Sequence, residues 1–388
     1  MKLLLRRWSK FLDHIARLTD AESVFESLTT AETALFGSKS IQISETFYHL
    51  GQIEQLKGNY HLSKKMFLES LDISENHYGN LANFDAAYTL YALGQIDSSL
   101  GDNSEAEKYF RKSLEIEETL YGTRDKPSIA ATLVALGQSV IDRGNYNEAK
   151  ILFLESLEIQ KKHHPTSEHQ NVAAILHELG RVASKLGHHT EAKKLYLESL
   201  EIKLKVFGTR EHPSVASTLY VVGQNASYLG DYHEAKILFI ECLEIKEKYY
   251  GTRDHPEMAV TIHELASTLF NLGDYQEAQK LYQECLDIQV KWYGTREHPS
   301  VAATISALGR TTSTLGDYVS AKVFYLESLE LQEKLYGTKV HPRVAATMYT
   351  LAQLASNVED YEGAKRIYID VWIFGLKYTV LVIIRTRL

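Results

Sequence analysis

Residues 210–251 read REHPSVASTLYVVGQNASYLGDYHEAKILFIECLEIKEKYYG, and nearly the same wording returns every 43 residues over most of a 388-residue chain. Within this stretch, apolar residues fall at Val215, Leu219, Val222, Ala226 and Leu229, spacings of four and three that draw one stripe down an α-helix. His212-Pro213 opens that helix, because the N–H that proline lacks would have no partner in a first turn. Gly230 stops it, and Asp231 with Glu234 three residues on gives a capping-box-like start to a second helix. The second stripe is Tyr232, Ala235, Leu238, Phe239, Cys242 and Leu243, closed at Tyr250-Gly251, where glycine can turn left-handed. Each helix is then about 16 to 19 residues, or roughly 25 Å, long.

Outward from this stretch the register holds. The glycine of a Leu-Gly or Val-Gly step recurs at Gly51, Gly94, Gly137, Gly180, Gly223 and Gly309, with Ala266 and Ala352 in the two remaining places. A second glycine follows seven residues later, at Gly58, Gly101, Gly144, Gly187, Gly230, Gly273 and Gly316. A fixed period of this kind marks a solenoid, in which each unit buries its apolar face against its neighbours. The fold predicted is all-α: a right-handed superhelical solenoid of antiparallel helix pairs.

Small residues show how each pair closes. Gly223 and Ala235 remove side chains where the helices cross, while Tyr232 and Phe239 fill the volume on either side. The same roles are read at Tyr146, Ala149 and Phe153, at Tyr275, Ala278 and Tyr282, and at Tyr318, Ala321 and Phe324. This pattern resembles the tetratricopeptide repeat, lengthened by a longer second helix and a Tyr-Gly-Thr-Arg-x-His-Pro connector. Glu297-His298-Pro299-Ser300-Val301-Ala302, Leu308-Gly309, Gly316-Asp317-Tyr318 and Tyr325-Leu326-Glu327-Ser328-Leu329-Glu330 resemble the repeats of kinesin light chains and nephrocystin-type proteins. That resemblance implies a non-catalytic scaffold or, as alternatives, a cargo transport adaptor or the repeat part of a larger signalling protein.

The ends depart from the rule. Residues 1–37 read as an irregular N-terminal helix pair, since Ala21, Phe25 and Phe36-Gly37 echo Ala106, Phe110 and Tyr121-Gly122. Residues 38–370 form the repeat solenoid, and residues 371–388 a divergent apolar segment beginning Val371-Trp372-Ile373-Phe374, shorter than the roughly 20 residues that span a bilayer. Only three leucines precede the charges Arg6 and Arg7, too few for a secretory signal, so a cytoplasmic protein is expected.

A formal net charge of -8 argues against a general nucleic-acid or anionic-membrane surface. Cys242 and Cys285 stand where Ser113, Ser156, Ser199 and Ser328 stand in other units, and read as small buried residues. His169, His212, His255, His298 and His341 recur once per unit, too far apart to share an ion whose ligands lie near 2 Å from it. A tighter group, His163, His164 and His169 beside Glu168, also lacks a full ligand set, so neither metal nor cofactor is expected. The repeated glycines are helix punctuation without a Lys-Ser or Lys-Thr phosphate motif, and no catalytic constellation is found.

First helices line the concave side of superhelical helix-pair repeats, so residues opposite their packing stripes should share one groove. Three places before the anchor these are Tyr48, Tyr91, Val134, His177, Tyr220, His263, Ser306 and Tyr349. One place after it they are Gln52, Gln95, Gln138, Arg181, Gln224, Ser267, Arg310 and Gln353. Rings beside amides suit an extended peptide. His177, Arg181 and Lys185 lie on one helix face, a basic strip that Arg310 could extend toward an acidic partner.

Overall fold

Each connector turns on its histidine. In the computed structural model, which describes residues 18–37, 40–163, 169–338 and 340–387, His212 Nδ1 accepts from the Ser214 N–H at 3.1 Å and so caps the helix that Pro213 begins. Its ring lies flat on Phe207 at 3.6 Å, as His255 does on Tyr250, His298 on Tyr293 and His341 on Tyr336. These four histidines are therefore caps stacked on the aromatic that ends the preceding helix, and His169 caps the helix Gln170–Lys185 through the Asn171 N–H. His163 bonds Asp125 at 2.9 Å, while His164, Pro165 and Glu168 lie outside the described residues.

Seventeen helices and no strand occur among the described residues. They are α1 (Leu18–Phe36), α2 (Ile41–Leu56), α3 (Tyr60–Tyr78), α4 (Phe84–Leu100), α5 (Asn103–Tyr121), α6 (Pro127–Asp142), α7 (Tyr146–His163), α8 (Gln170–Lys185) and α9 (His189–Phe207). There follow α10 (Pro213–Tyr228), α11 (Tyr232–Tyr250), α12 (Pro256–Leu272), α13 (Tyr275–Tyr293), α14 (Pro299–Thr314), α15 (Tyr318–Tyr336), α16 (Pro342–Asn357) and α17 (Tyr361–Arg387). The chain divides into two units, Met1–Leu195 and Tyr196–Leu388, the division falling within α9. Of the N-terminal pair expected over residues 1–37, α1 is the described part, and its Ala21 and Phe25 are buried against Leu50 and Ile53 of α2. At the other end α17 is one continuous helix through the place where the repeat wording fails.

The expected stripes are buried. Val215, Leu219, Val222 and Ala226 are inaccessible, as are Ala235, Phe239 and Cys242 on the partner helix, whereas Leu229 is the C-cap residue of α10 and stands exposed. Anchor glycines sit under the aromatic ring of their own second helix: a Cβ on Gly94 would lie 2.6 Å from Phe110 Cε1, and one on Gly223 2.9 Å from Phe239 Cε1. In the repeat of α14 and α15 the ring over Gly309 is Tyr325, which is buried. Phe324, read above in that role, packs from the side as a partly buried residue, because position seven after the helix-opening tyrosine, one later, faces the crossing.

Polar bonds set the register between helices. Ser113, Ser156 and Ser328 each donate from Oγ to the carbonyl 26 residues earlier on the first helix, at 2.8 Å, and Cys242 and Cys285 do so through Sγ at 3.2 Å. From one repeat to the next, a buried threonine in five of the first helices meets a polar side chain 15 residues earlier: Thr132 with Glu117, Thr218 with Lys203, Thr261 with Lys246, Thr304 with Gln289 and Thr347 with Gln332. At the rim, connector arginines reach forward to the first glutamate of the Leu-Glu-Ser-Leu-Glu wording, as in Arg210 with Glu241 and Arg296 with Glu327. Exposed pairs of this kind contribute about 0–1 kcal/mol each.

A threonine holds that place in every described first helix but α8, where Ile175 stands, and there Gln160 Oε1 is buried with no hydrogen-bond partner. An orphaned amide oxygen is destabilising, whereas a bonded one is not. Gln160→Met should therefore stabilise the first unit by about 1 kcal/mol, while Gln289→Met, which strips Thr304 of its 3.0 Å partner, should destabilise the second by a similar amount. Urea unfolding of the two variants checks the opposite signs.

Candidate functional site: faces of the first helices

In the first unit, α2, α4, α6 and α8 carry the candidate rows. Tyr48 lies half-buried with its ring 5.5 Å from Phe67, and Tyr91 with its ring 5.5 Å from Phe110. Each phenol thus closes over the second helix of its own repeat. The hydroxyls accept from Gln52 and Gln95 one turn later, both at 3.3 Å. Burial raises both phenols above their ordinary pKa, and Asp85 adds to the effect at Tyr48. Val134 is half-buried, and Gln138 is exposed on α6.

The basic strip of α8 is partly neutralised. Arg181 Nε donates to Glu178 Oε2 at 2.8 Å, and Gln138 Nε2 reaches the other oxygen of the same carboxylate at 3.1 Å. His177 is half-buried, and Lys185 is exposed in the last turn, where the helix carbonyls favour a cation. His177, Arg181 and Lys185 do share a helix, but the guanidinium of Arg181 is already committed to an acid.

In the second unit the same rows form a denser cluster. Gln224 Nε2 donates to Tyr220 Oη at 2.9 Å and to Glu264 Oε1 at 3.1 Å, so one amide ties α10 to α12. Burial raises the carboxyl of Glu264 above its ordinary pKa, against the lowering by its bonds to Gln224 and Tyr220. His263 stands edge-on to Tyr282 at 5.2 Å, and the Arg310 guanidinium lies 4.2 Å above the centre of the Phe270 ring. Burial raises the Tyr282 phenol above its ordinary pKa, against a lowering by Ser267 and Arg310. Burial first, and Arg310 second, push His263 down to about 4. Ser306 is half-buried, Tyr349 meets Tyr368 edge-on at 5.5 Å, and Gln353 is exposed.

The structure thus joins Tyr91 with Gln95, Gln138 with Arg181, Tyr220 with Gln224, and His263 with Arg310. Two acids organise these groups, Glu178 and Glu264, and sequence reasoning missed their glutamine partners one repeat earlier. Both acids stand two places before an anchor and 40 residues after a glutamine, a pairing visible once neighbouring repeats are aligned. Among the described residues no group of histidine, cysteine and carboxylate side chains could hold a metal. Burial raises the Cys242 thiol and pushes that of Cys285 up to about 12, far from a reactive thiolate.

Helix hairpins closed by an anchor glycine, stacked at a constant period and presenting first-helix rows, define a helical repeat protein. The tetratricopeptide repeat pattern matches residues 42–119, 85–162, 128–205, 171–248 and 257–334, and the chain belongs to that family. No curated protein matches it. Among solved structures it is similar to the apo form of the quorum sensor NprR from B. thuringiensis, at 17% identity and TM-score 0.63 over 96% of this chain and 98% of that one. It is also similar to BtubC (BKLC) from P. vanneervenii, at 20% identity and TM-score 0.50 over 61% and 91%. A putative kinesin light chain repeat protein of Podosopora anserina gives 28% identity and TM-score 0.47 over 54% and 97%. No helix among the described residues is long and apolar enough to cross a membrane.

His263 makes a pH test of the second unit. With a native pKa of about 4 against roughly 6.5 unfolded, the unfolded chain binds the extra proton between these values. Stability of this unit should therefore fall by up to about 3 kcal/mol as the pH drops from 6.5 to 4. Glu264, raised by burial, acts in the opposite direction. Urea midpoints measured from pH 7 to 4 should show a shallower slope in His263→Gln and a steeper one in Glu264→Gln.

Proposed function

We propose that the chain is a non-catalytic scaffold whose first-helix faces hold an extended peptide or an unstructured segment of a partner protein. The observation that carries this reading is the tyrosine–glutamine pair of the first helices, Tyr91 with Gln95 and Tyr220 with Gln224. Each ring is locked by its repeat, and each amide is aimed by a phenol, so the pair is pre-organised before any guest arrives. With Nε2 engaged, the Gln95 and Gln224 carbonyl oxygens remain to accept a peptide N–H, and the tyrosines offer amphipathic walls for side chains.

An acidic side chain of the guest finds its best support at Arg310, which is exposed and stiffened over Phe270. Arg181, matched by Glu178, serves that role less well; His177, Lys185 and His263 border the two faces. The sensor role of NprR belongs to that protein, and what supports recognition here is the build of the faces themselves.

A displayed peptide library selected against the whole chain tests the reading. Peptides that bind should lose about fivefold in affinity with Gln95→Ala or Gln224→Ala, as one hydrogen bond of about 1 kcal/mol implies. Acidic peptides should lose more with Arg310→Glu, about 2 kcal/mol. Lys194→Ala, on a second helix, should change nothing. Selected peptides indifferent to all three face substitutions would overturn it.

A further inference from the structure

The first unit holds a cavity of about 320 Å³ between α2, α3 and α4, and its chemistry is unlike that of the rows. Three rings border it, Tyr48, Tyr78 and Tyr88, the last two about half exposed at 48% and 44%. Glu45 and Asp85 add two carboxylates, and no lysine, arginine or histidine lines it among the described residues. The hydroxyls on its wall are committed elsewhere: Ser44 Oγ donates to the Ser70 carbonyl at 2.7 Å and Thr89 Oγ1 to the Asp85 carbonyl at 2.8 Å. The ring faces, the Gln42 amide and the Asp85 carboxylate are what meet a guest.

Both features select the same guest. Aromatic faces attract cations, most strongly when the site is partly desolvated. Carboxylates bond a guanidinium through paired, charge-assisted hydrogen bonds, and a planar guanidinium can stack on one ring while it does so. An ammonium group could use the charge but not the stacking geometry, and an acidic side chain would be repelled. The volume lies at the low end of ligand pockets, roughly 300–1,000 Å³, which suits one side chain and not a cofactor. The rings are held in place: Tyr48 is packed on Phe67 and bonded by Gln52, and Tyr88 stacks beside Phe84 at 6.4 Å. Asp85 sits in the first turn of α4, where the partial positive charge of the helix N-terminus favours an acidic side chain. After burial, the Asp85 charge helps hold the Tyr48 phenol above its ordinary pKa, and the Tyr121 phenol and the Glu117 charge do the same at Tyr88.

We infer that this cavity is an arginine-binding pocket, which takes the guanidinium of a basic partner segment between Tyr48, Tyr78 and Tyr88 with Asp85 as its main counter-ion. The inference rests on the scaffold reading for the source of the arginine, but the pocket can be tested without it. A partner would then be read by charge in two places: a cation in this pocket, and in the second unit an acid at Arg310.

The probe is Nα-acetyl-argininamide, titrated into the intact chain with tyrosine rings isotope-labelled for NMR, beside the acetyl-amides of lysine, glutamate and citrulline. The arginine probe should shift the Tyr48 and Tyr88 resonances saturably. Lysine should bind more weakly, and citrulline, the neutral isostere, and glutamate should not bind. Asp85→Asn and, as a second change in case the first perturbs α4, Tyr88→Leu should each weaken the arginine probe at least fivefold with an unaltered helical circular dichroism spectrum. No saturable shift at these rings, or equal binding of arginine and citrulline, would overturn the inference. If argininamide binds here while no selected peptide depends on Gln95, Gln224 or Arg310, the pocket stands and the scaffold reading falls. Selected peptides that use those residues, with argininamide leaving Tyr48 and Tyr88 unmoved, give the converse.

Discussion

Everything in this molecule depends on how closely two helices can approach beneath one aromatic ring. At Gly94 and Gly137 an added Cβ would come within 2.6 Å of the ring carbons of Phe110 and Phe153, a distance that no methyl group tolerates without movement. The glycine is thus required by the neighbour and not by its own backbone, which is helical. Where the ring is Tyr282, alanine is accommodated as Ala266. Closing each hairpin at this point fixes the angle at which the first helix presents its outer face, and so the placement of Tyr91 and Tyr220.

Repeats are then held to one another by buried polar contacts as well as apolar ones. The threonine that bonds a glutamate, lysine or glutamine of the preceding second helix leaves room for only one register, since a slip would strand a buried polar group. Lys246 shows the cost being met: its buried ammonium donates to the Glu257 carbonyl, its carboxylate and Thr261, at 3.0, 3.0 and 3.1 Å. Ile175 shows the exception, with Gln160 left incomplete. Local stability should therefore vary from repeat to repeat even where the wording is nearly the same.

The helices, their caps and the anchor crossing were legible because they arise from interactions within a period, which spacing records directly. Phe324 was misread for Tyr325 because two adjacent aromatics cannot be told apart without counting the register from Tyr318. The rows of the first helices were located, but their partners were not. Whether Arg181 is available to a ligand depends on Glu178 beside it and on Gln138 a full repeat earlier, and whether Tyr48 is a wall or a core residue depends on Phe67. The pocket with Tyr78, Tyr88 and Asp85 escaped sequence reading altogether, since it draws on three helices and on positions that do not repeat: Tyr88 and Asp85 become Ala131 and Ser128 one period later.

The central claim is that each hairpin is closed locally by its anchor glycine and that damage there stays near it. Gly94→Leu should destabilise the α4–α5 hairpin by about 1–3 kcal/mol through overpacking against Phe110. Hydrogen exchange measured along the chain should then show lost protection in α4 and α5, a smaller loss in α3 and α6, and unchanged protection in α12 to α15. Uniform loss from residue 40 to 360, or none at all, would contradict the account.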